Sequence, residues 1–197
     1  MLEDFKHHIA QDLPFLLDSK ILVTVSGGLD SMLLLLLCRQ AGLDVSVAHC
    51  NFNLRAAESD GDQAFVASYC KLHNIPIYIK SFETTAYAKT SKTSTQIAAR
   101  ELRYQWFKEL SVAEGFDYIL TAHHLNDDLE TFLINLGRGT GIKGLTGIPV
   151  VNGEIVRPLL KFSRKQIKNY ALKEDLQWRE DSSNATDNYV RNHIRHH

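Results

Sequence analysis

Residues Ser26-Gly27-Gly28-Leu29-Asp30-Ser31 lie between two apolar runs, the β-branched Ile21-Leu22-Val23-Thr24-Val25 and the stretch from Met32 to Cys38. The order predicts a strand, a tight glycine turn and the start of a helix. Such a junction aims backbone N–H groups and the positive end of a helix at one point, which suits an anion. Gly27 and Gly28 let the backbone approach a phosphate closely and tolerate φ > 0. Ser26 and Ser31 add hydroxyl donors, and Asp30 adds a carboxylate of the kind that helps hold a phosphate-bound Mg²⁺. The turn lacks the lysine of G-x-x-x-x-G-K-[ST] and the spacing of G-x-G-x-x-G. Taken alone it also reads as an ordinary capped turn, so its company decides.

Short apolar runs alternate with helical patterns along the rest of the chain. Strands are expected at Ile21–Val25, Val45–His49, Ile77–Phe82, Tyr118–Thr121 and Ile155–Val156, and helices at Ser31–Ala41, Ser59–Leu72, Gln96–Glu114, Asn126–Leu136 and Arg164–Lys173. Ser163-Arg164-Lys165-Gln166 has the capping-box form. The alternation implies a doubly wound, Rossmann-like α/β fold: a mostly parallel sheet of about five strands with helices on both faces. All 197 residues are expected to form one domain. Ligands of such sheets bind beyond the carboxyl ends of the strands. The polar oddities fall there: the glycine turn after the first strand, His49-Cys50-Asn51 after the second, and His123-His124 after the fourth. The Thr/Ser-rich stretch Thr84–Thr95 follows the third and is expected to be a flexible lid.

Composition excludes several classes. The longest apolar run is far shorter than the roughly 20 residues of a membrane span, so no membrane partner is expected. Glu3 and Asp4 sit where a secretory signal carries positive charge, and three cysteines form neither an even set nor a C-x-x-C pair. A reducing, cytoplasmic location is expected. Net charge is −1, but the stretch from Arg138 to Lys168 holds seven basic residues and one acid, Glu154. Such a stretch suits a phosphate backbone, or is simply a solvated face.

Further clusters carry chemistry. In Ala122-His123-His124-Leu125-Asn126-Asp127-Asp128-Leu129-Glu130-Thr131, a helix starting at Asn126 puts Asp127 and Glu130 on one face. Those carboxylates suit Mg²⁺ beside a nucleotide, and His124 or His123 suits proton transfer near neutral pH. Acids in a first helical turn are also favoured by the helix dipole alone. Arg100 and Arg103 lie three apart, placed to clamp an anion or to pair with Glu101. Gly137 to Pro149 combines five glycines with Arg138 and Lys143, a cationic loop able to close over phosphates. Glu180-Asp181-Ser182-Ser183-Asn184 and Arg191-Asn192-His193-Ile194-Arg195 close the chain inside an arginine-bearing pattern, which reads as the N-terminal piece of a longer protein.

SGGLDS resembles the PP-loop of ATP pyrophosphatases, which split ATP between its α and β phosphates. With HCNFNLR (His49 to Arg55), AARELRY, AHHLNDDLET, RGTGIKGLTGIP, RPLLKFSR, EDSSN and RNHIR in this order, the chain resembles the tRNA(Ile)-lysidine synthetases from Ile21 onward. It departs at Asn53, where that family often has His, and at Asn126, where it often has Asp; the second departure moves the expected essential carboxylate to Asp127.

The resemblance implies a ligase. ATP adenylates the carbonyl oxygen of the wobble cytidine in an isoleucine tRNA with a CAU anticodon, releasing pyrophosphate; free L-lysine then displaces AMP. Ser26, Gly27, Gly28, Leu29, Asp30, Ser31, His49, Arg100, Arg103 and Arg138 would contact ATP, with Mg²⁺ on Asp30 and Asp127. Asp30, His124, Asp127 and Glu130 would be catalytic, the base among the last three remaining open. Lys143, Lys165, Lys168, Arg191 and Arg195 would hold tRNA, helped by further domains of the family. A second copy of the chain is admitted as a partner. Two rivals remain: a PP-loop tRNA thiolase, which usually carries C-x-x-C cysteines, and a non-catalytic ATP-binding sensor of the same fold.

Overall fold

The apolar run before the glycine turn forms β1 (Lys20–Thr24) and the run after it α2 (Leu29–Gln40), in a computed structural model that describes residues 1–55, 57–141 and 146–180. Around β1 the sheet adds β2 (Asp44–Asn51), β3 (Ile77–Ser81), β4 (Tyr118–Leu120), β5 (Val151–Asn152) and β6 (Ile155–Val156), in the order β3-β2-β1-β4-β6-β5. Every pairing is parallel except β5 with β6. The expected strands are present, and the sixth is the short partner of β6 across a turn at Gly153, too brief for a periodic signal.

β1 shows how the two layers form. Ile21 and Val23 point into a core shared with α2, α1 (Leu2–Asp12), α3 (Ala57–Leu72) and α7 (Arg164–Lys173), while Leu22 packs on the other side. That second core joins Ala48, Trp106, Phe107, Leu110 and Ile119, with the aromatics supplied by α5 (Thr95–Glu114). Alternation along a strand buries both faces, as a sheet covered on both sides requires. α2 is nearly apolar all round, with Met32, Leu33, Leu34, Leu35 and Leu37 fully buried. It therefore holds the glycine turn on a rigid base.

Two expectations change. The stretch expected to be a lid is α4 (Thr84–Ser91), packed on α5; Thr84 Oγ1 donates to the Phe52 carbonyl at 2.8 Å and Ala88 is buried. Its Thr/Ser content conceals a helix because burial of Thr84 and Ala88 outweighs weak intrinsic propensity. α1 was not expected, although Phe5 and Ile9 recur at helical spacing and are buried. α6 (Leu125–Gly137) starts one residue earlier than expected and is capped by His124. The Ser163–Gln166 capping box forms at α7 as read. Among the described residues no helix is long and apolar enough to cross a membrane.

Candidate active site

Beyond the carboxyl ends of β1, β2 and β4 opens a cleft of about 930 Å³. Its floor is the glycine turn. Gly27 has φ +98°, a conformation L side chains rarely adopt, whereas Gly28 sits at an ordinary −78° as the N-cap of α2. Ser31 Oγ accepts from the Ser26 N–H at 3.2 Å and donates to the Gly28 carbonyl at 3.0 Å. The Ser26 hydroxyl lies 3.1 Å from Ser31 Oγ and accepts weakly from the Gly28 N–H at 3.4 Å. This ring of hydroxyls and amides holds the turn open around the N-terminus of α2.

His124 ties the turn to α6. Its Nδ1 accepts the Asp127 N–H at 3.3 Å while the Asp127 carboxylate accepts the His124 N–H at 2.9 Å, a reciprocal cap. The ring's Nδ1 also lies 3.3 Å from Asp127 Oδ2, and its Nε2 lies 3.7 Å from Asp30 Oδ2. The imidazole is 2% exposed. Asp30 and Asp127 both line the cleft, on either side of this ring. Among the described residues no group of three His, Cys, Asp or Glu side chains is arranged to cage a metal. Two carboxylates beside a glycine turn at a helix N-terminus are a donor set that suits Mg²⁺, which keeps waters and takes further ligands from phosphate oxygens.

Ser26, Gly28, Leu29, Asp30, Ser31, Arg103, Asp127, Lys165 and Lys168 all reach the cleft. Gly27 lies beneath it, its carbonyl accepting the Arg179 N–H at 3.0 Å. His49 is buried behind the turn, Nδ1–H donating to the Val25 carbonyl at 2.8 Å; burial holds its pKa below the usual imidazole range, partly offset by that bond and by Asp62. Glu130 is buried on α6, and neither it nor exposed Arg100 and Arg138 lines the cleft. Arg100 lies over the Tyr104 ring, 4.9 Å from its centroid. Lys143, Arg191 and Arg195 lie outside the described residues, as do Asp181–Asn184.

Sequence reasoning passed over several lining residues. Phe52, stacked on Phe82 and covered by the Arg103 guanidinium, and Arg55 lie inside the HCNFNLR stretch but were assigned no task. Arg164 stands at the first turn of α7. Asp62, Trp178 and Arg179 carry no local signal, because only the return of the chain after α7 brings Arg179 onto Asp62. Among the described residues, six cations and four carboxylates line the cleft. Cys50 lines it too, but burial pushes its thiol up to about 12 against the opposing pull of Arg103 and Lys80.

A family model described as a PP-loop domain matches residues 1–197. The tRNA(Ile)-lysidine synthase of Bacteroides thetaiotaomicron is 46% identical over 188 residues, 95% of this chain and 44% of that protein. Its counterpart in Chlorobaculum tepidum is 42% identical over 179 residues, 89% of this chain and 54% of the relative. The chain thus spans about half the length of the curated relatives it matches. Among solved structures, the U34-tRNA thiolase NcsA from Methanococcus maripaludis superposes with TM-score 0.77 at 16% identity, over 98% of this chain and 70% of that one. The NMN synthetase from Francisella tularensis gives 0.61 at 14%, over 90% and 72%. Identities this low speak to the fold alone. With the family model spanning its length and the glycine turn seated between β1 and α2, the chain belongs to the PP-loop domain family.

Proposed function

We propose that this chain is the ATP-activating domain of a tRNA(Ile)-lysidine synthase, which joins free lysine to the wobble cytidine of an isoleucine tRNA with a CAU anticodon. One observation carries the reading: the glycine turn, Asp30 and Asp127 converge on a single cleft that Arg164, Lys165 and Lys168 also line. The names of the relatives support lysine and tRNA(Ile) as substrates.

A cytosine carbonyl oxygen leaves poorly until it is adenylated. The work of the chain is therefore to bind ATP, align its α phosphate with that oxygen and stabilise the departing pyrophosphate. Ser26, Ser31 and the N–H groups at the start of α2 hold the phosphates. Asp30 and Asp127 would hold Mg²⁺, which neutralises charge on the leaving group when bound. In the second step the lysine amine, with an ordinary pKa of about 10.4, gives up a proton before it attacks the ring carbon and expels AMP. We assign that proton to Asp127, which unlike buried Glu130 lines the cleft and would no longer hold Mg²⁺ once pyrophosphate has left, and give His124 a positioning role. Its Nδ1 is already engaged in capping α6, and its Nε2 lies 3.7 Å from Asp30. Arg103 and the α7 cations would steer the polyanionic tRNA.

The test is incorporation of labelled lysine into an isoleucine tRNA transcript, with pyrophosphate release followed in parallel. It is run on this chain and on a chimera joining it to the part of the Bacteroides thetaiotaomicron relative that it does not match. Incorporation by the chimera, with ATP binding but weak tRNA binding by the chain alone, is expected. The second step separates the rivals: AMP release and tRNA modification that ignore lysine but require a sulfur donor identify a thiolase, and ATP binding without pyrophosphate release identifies a sensor.

A further inference from the structure

One carboxylate at the mouth of the cleft is shared by two guanidiniums. Asp62, on α3, accepts through Oδ2 from Arg55 at 2.9 Å and through Oδ1 from Arg179 Nε. Its side chain is 15% exposed, against 30% for Arg55 and 42% for Arg179. Arg179 is fixed a second way, by its N–H on the Gly27 carbonyl. Gly61 leaves the room that this arrangement needs, since a Cβ there would lie 3.0 Å from Arg179 Nη2 and 3.3 Å from Cζ. Exposed Glu58 also approaches Arg55, at 3.6 Å, but does not line the cleft, whereas Arg55, Asp62 and Arg179 all do.

A guanidinium carries five N–H donors in a rigid fork, and Asp62 occupies only part of each fork. A carboxylate that anchors one edge of a guanidinium fixes the direction of its whole plane, with less side-chain freedom to lose when an anion arrives. The backbone bond from the Arg179 N–H to the Gly27 carbonyl anchors the root of this side chain at the phosphate turn.

We propose that Arg55 and Arg179 bind the pyrophosphate portion of the nucleotide, and that Asp62 is the positioning residue that holds both forks in place. This rests on the reading above that the phosphates occupy the Ser26–Ser31 turn. The alternative is a clip that merely ties the chain after α7 to α3. The two differ in sign. Removing Asp62 makes the cleft one charge more positive, so a diffuse field would tighten pyrophosphate binding, whereas loss of positioning weakens it.

Calorimetry on the 197-residue chain with Mg²⁺-pyrophosphate and, separately, with AMP decides between them. Arg55→Gln and Arg179→Gln should each weaken pyrophosphate roughly tenfold or more, the worth of one charge-assisted bond, while AMP affinity stays within about twofold of the parent by the same scale. Asp62→Asn should weaken pyrophosphate despite the added charge. Gly61→Ala keeps the proposal testable if Asp62→Asn fails to fold. It should raise the melting temperature, as alanine replaces glycine inside a helix, yet weaken pyrophosphate by crowding Arg179. If the parent binds no pyrophosphate, both the functional reading and this inference fall. If Ser31→Ala weakens binding but the arginine variants do not, the inference alone falls. Tighter binding by Asp62→Asn overturns the positioning role.

Discussion

Gly27→Ala separates the two glycines of the turn, which look equivalent in sequence. At φ +98° an L-alanine is strained, and residues held in such sparsely populated regions cost about 1–3 kcal/mol. Space is not the obstacle, since a Cβ would meet Val66 Cγ2 at 3.4 Å and Phe65 Cδ1 at 3.7 Å, ordinary contacts. The turn resists rotating away from the strain, because the Gly27 carbonyl holds the Arg179 N–H. Restricting the unfolded chain returns about 0.4–1 kcal/mol, leaving a net loss of about 1–2 kcal/mol. For a domain of this size that lowers the melting temperature by about 2–8 °C. Gly28→Ala is the internal control. Its φ of −78° is ordinary, its Cβ would lie 3.6 Å from Ser26 Oγ, and the weaker N-cap is offset by the same unfolded-state gain. It should fall within about 0.5 kcal/mol of the parent by that balance. Thermal melts of the three proteins by circular dichroism, with pyrophosphate affinity alongside, make the comparison. Equal losses, or a greater loss at Gly28, would refute the claim that the turn depends on one left-handed residue.

Asp30→Asn and Asp127→Asn should each reduce tRNA-dependent pyrophosphate release by roughly a hundredfold or more with melting little changed, because each removes a cleft-lining charge that the proposed function assigns to Mg²⁺. Near-normal release by either variant would strike that residue from the site. Replacing Lys165 and Lys168 together with alanine should weaken tRNA binding and flatten its salt dependence by about 0.9 per lost phosphate contact; an unchanged slope would make them a solvated face. Cys50, its thiol pushed up to about 12, should resist iodoacetamide at pH 8 in the native protein and react, with Cys38 and Cys70, only after denaturation; rapid native labelling of Cys50 would contradict this. Asp12 is held down to about 2, first by its hydrogen bond with Lys161 and then by His8. Its ion pair therefore favours the folded state above the ordinary carboxylate pKa, and the benefit fades as pH falls toward 2. The stability gap between parent and Lys161→Met, measured by melting at pH 5 and again at pH 2, should narrow with acid.

Much of the fold was legible because its signals are local. β1 and α2 each announce themselves by an unbroken apolar run, and a strand-to-helix junction with two glycines admits few geometries. The capping box at Ser163 and Gln166 is likewise four consecutive residues making their own bonds. α4 was lost because threonine and serine are neutral helix formers, and what makes them helical there is a bond from Thr84 to Phe52, 32 residues away. His124 illustrates a subtler failure. Its closeness to Asp127 is visible in the sequence, yet its role as a buried cap follows from where α6 begins, and its approach to Asp30 follows from β1 and β4 being neighbours.

The sequence by itself determined the parts: a glycine turn of the kind that suits phosphate, carboxylates after the fourth strand, a basic stretch, and the strand and helix periodicity that places turn and carboxylates on one edge of a parallel sheet. Tertiary structure decided which of those parts meet. It drew Asp30 and Asp127 to either side of one imidazole, left Arg100, Arg138 and Glu130 off the cleft, and recruited Asp62 and Arg179 from positions 117 residues apart. The physical reason is one of range. Periodicity, capping and turn conformation arise within a few residues of chain, whereas a shared ion pair depends on how the sheet order folds distant segments onto the same few ångströms.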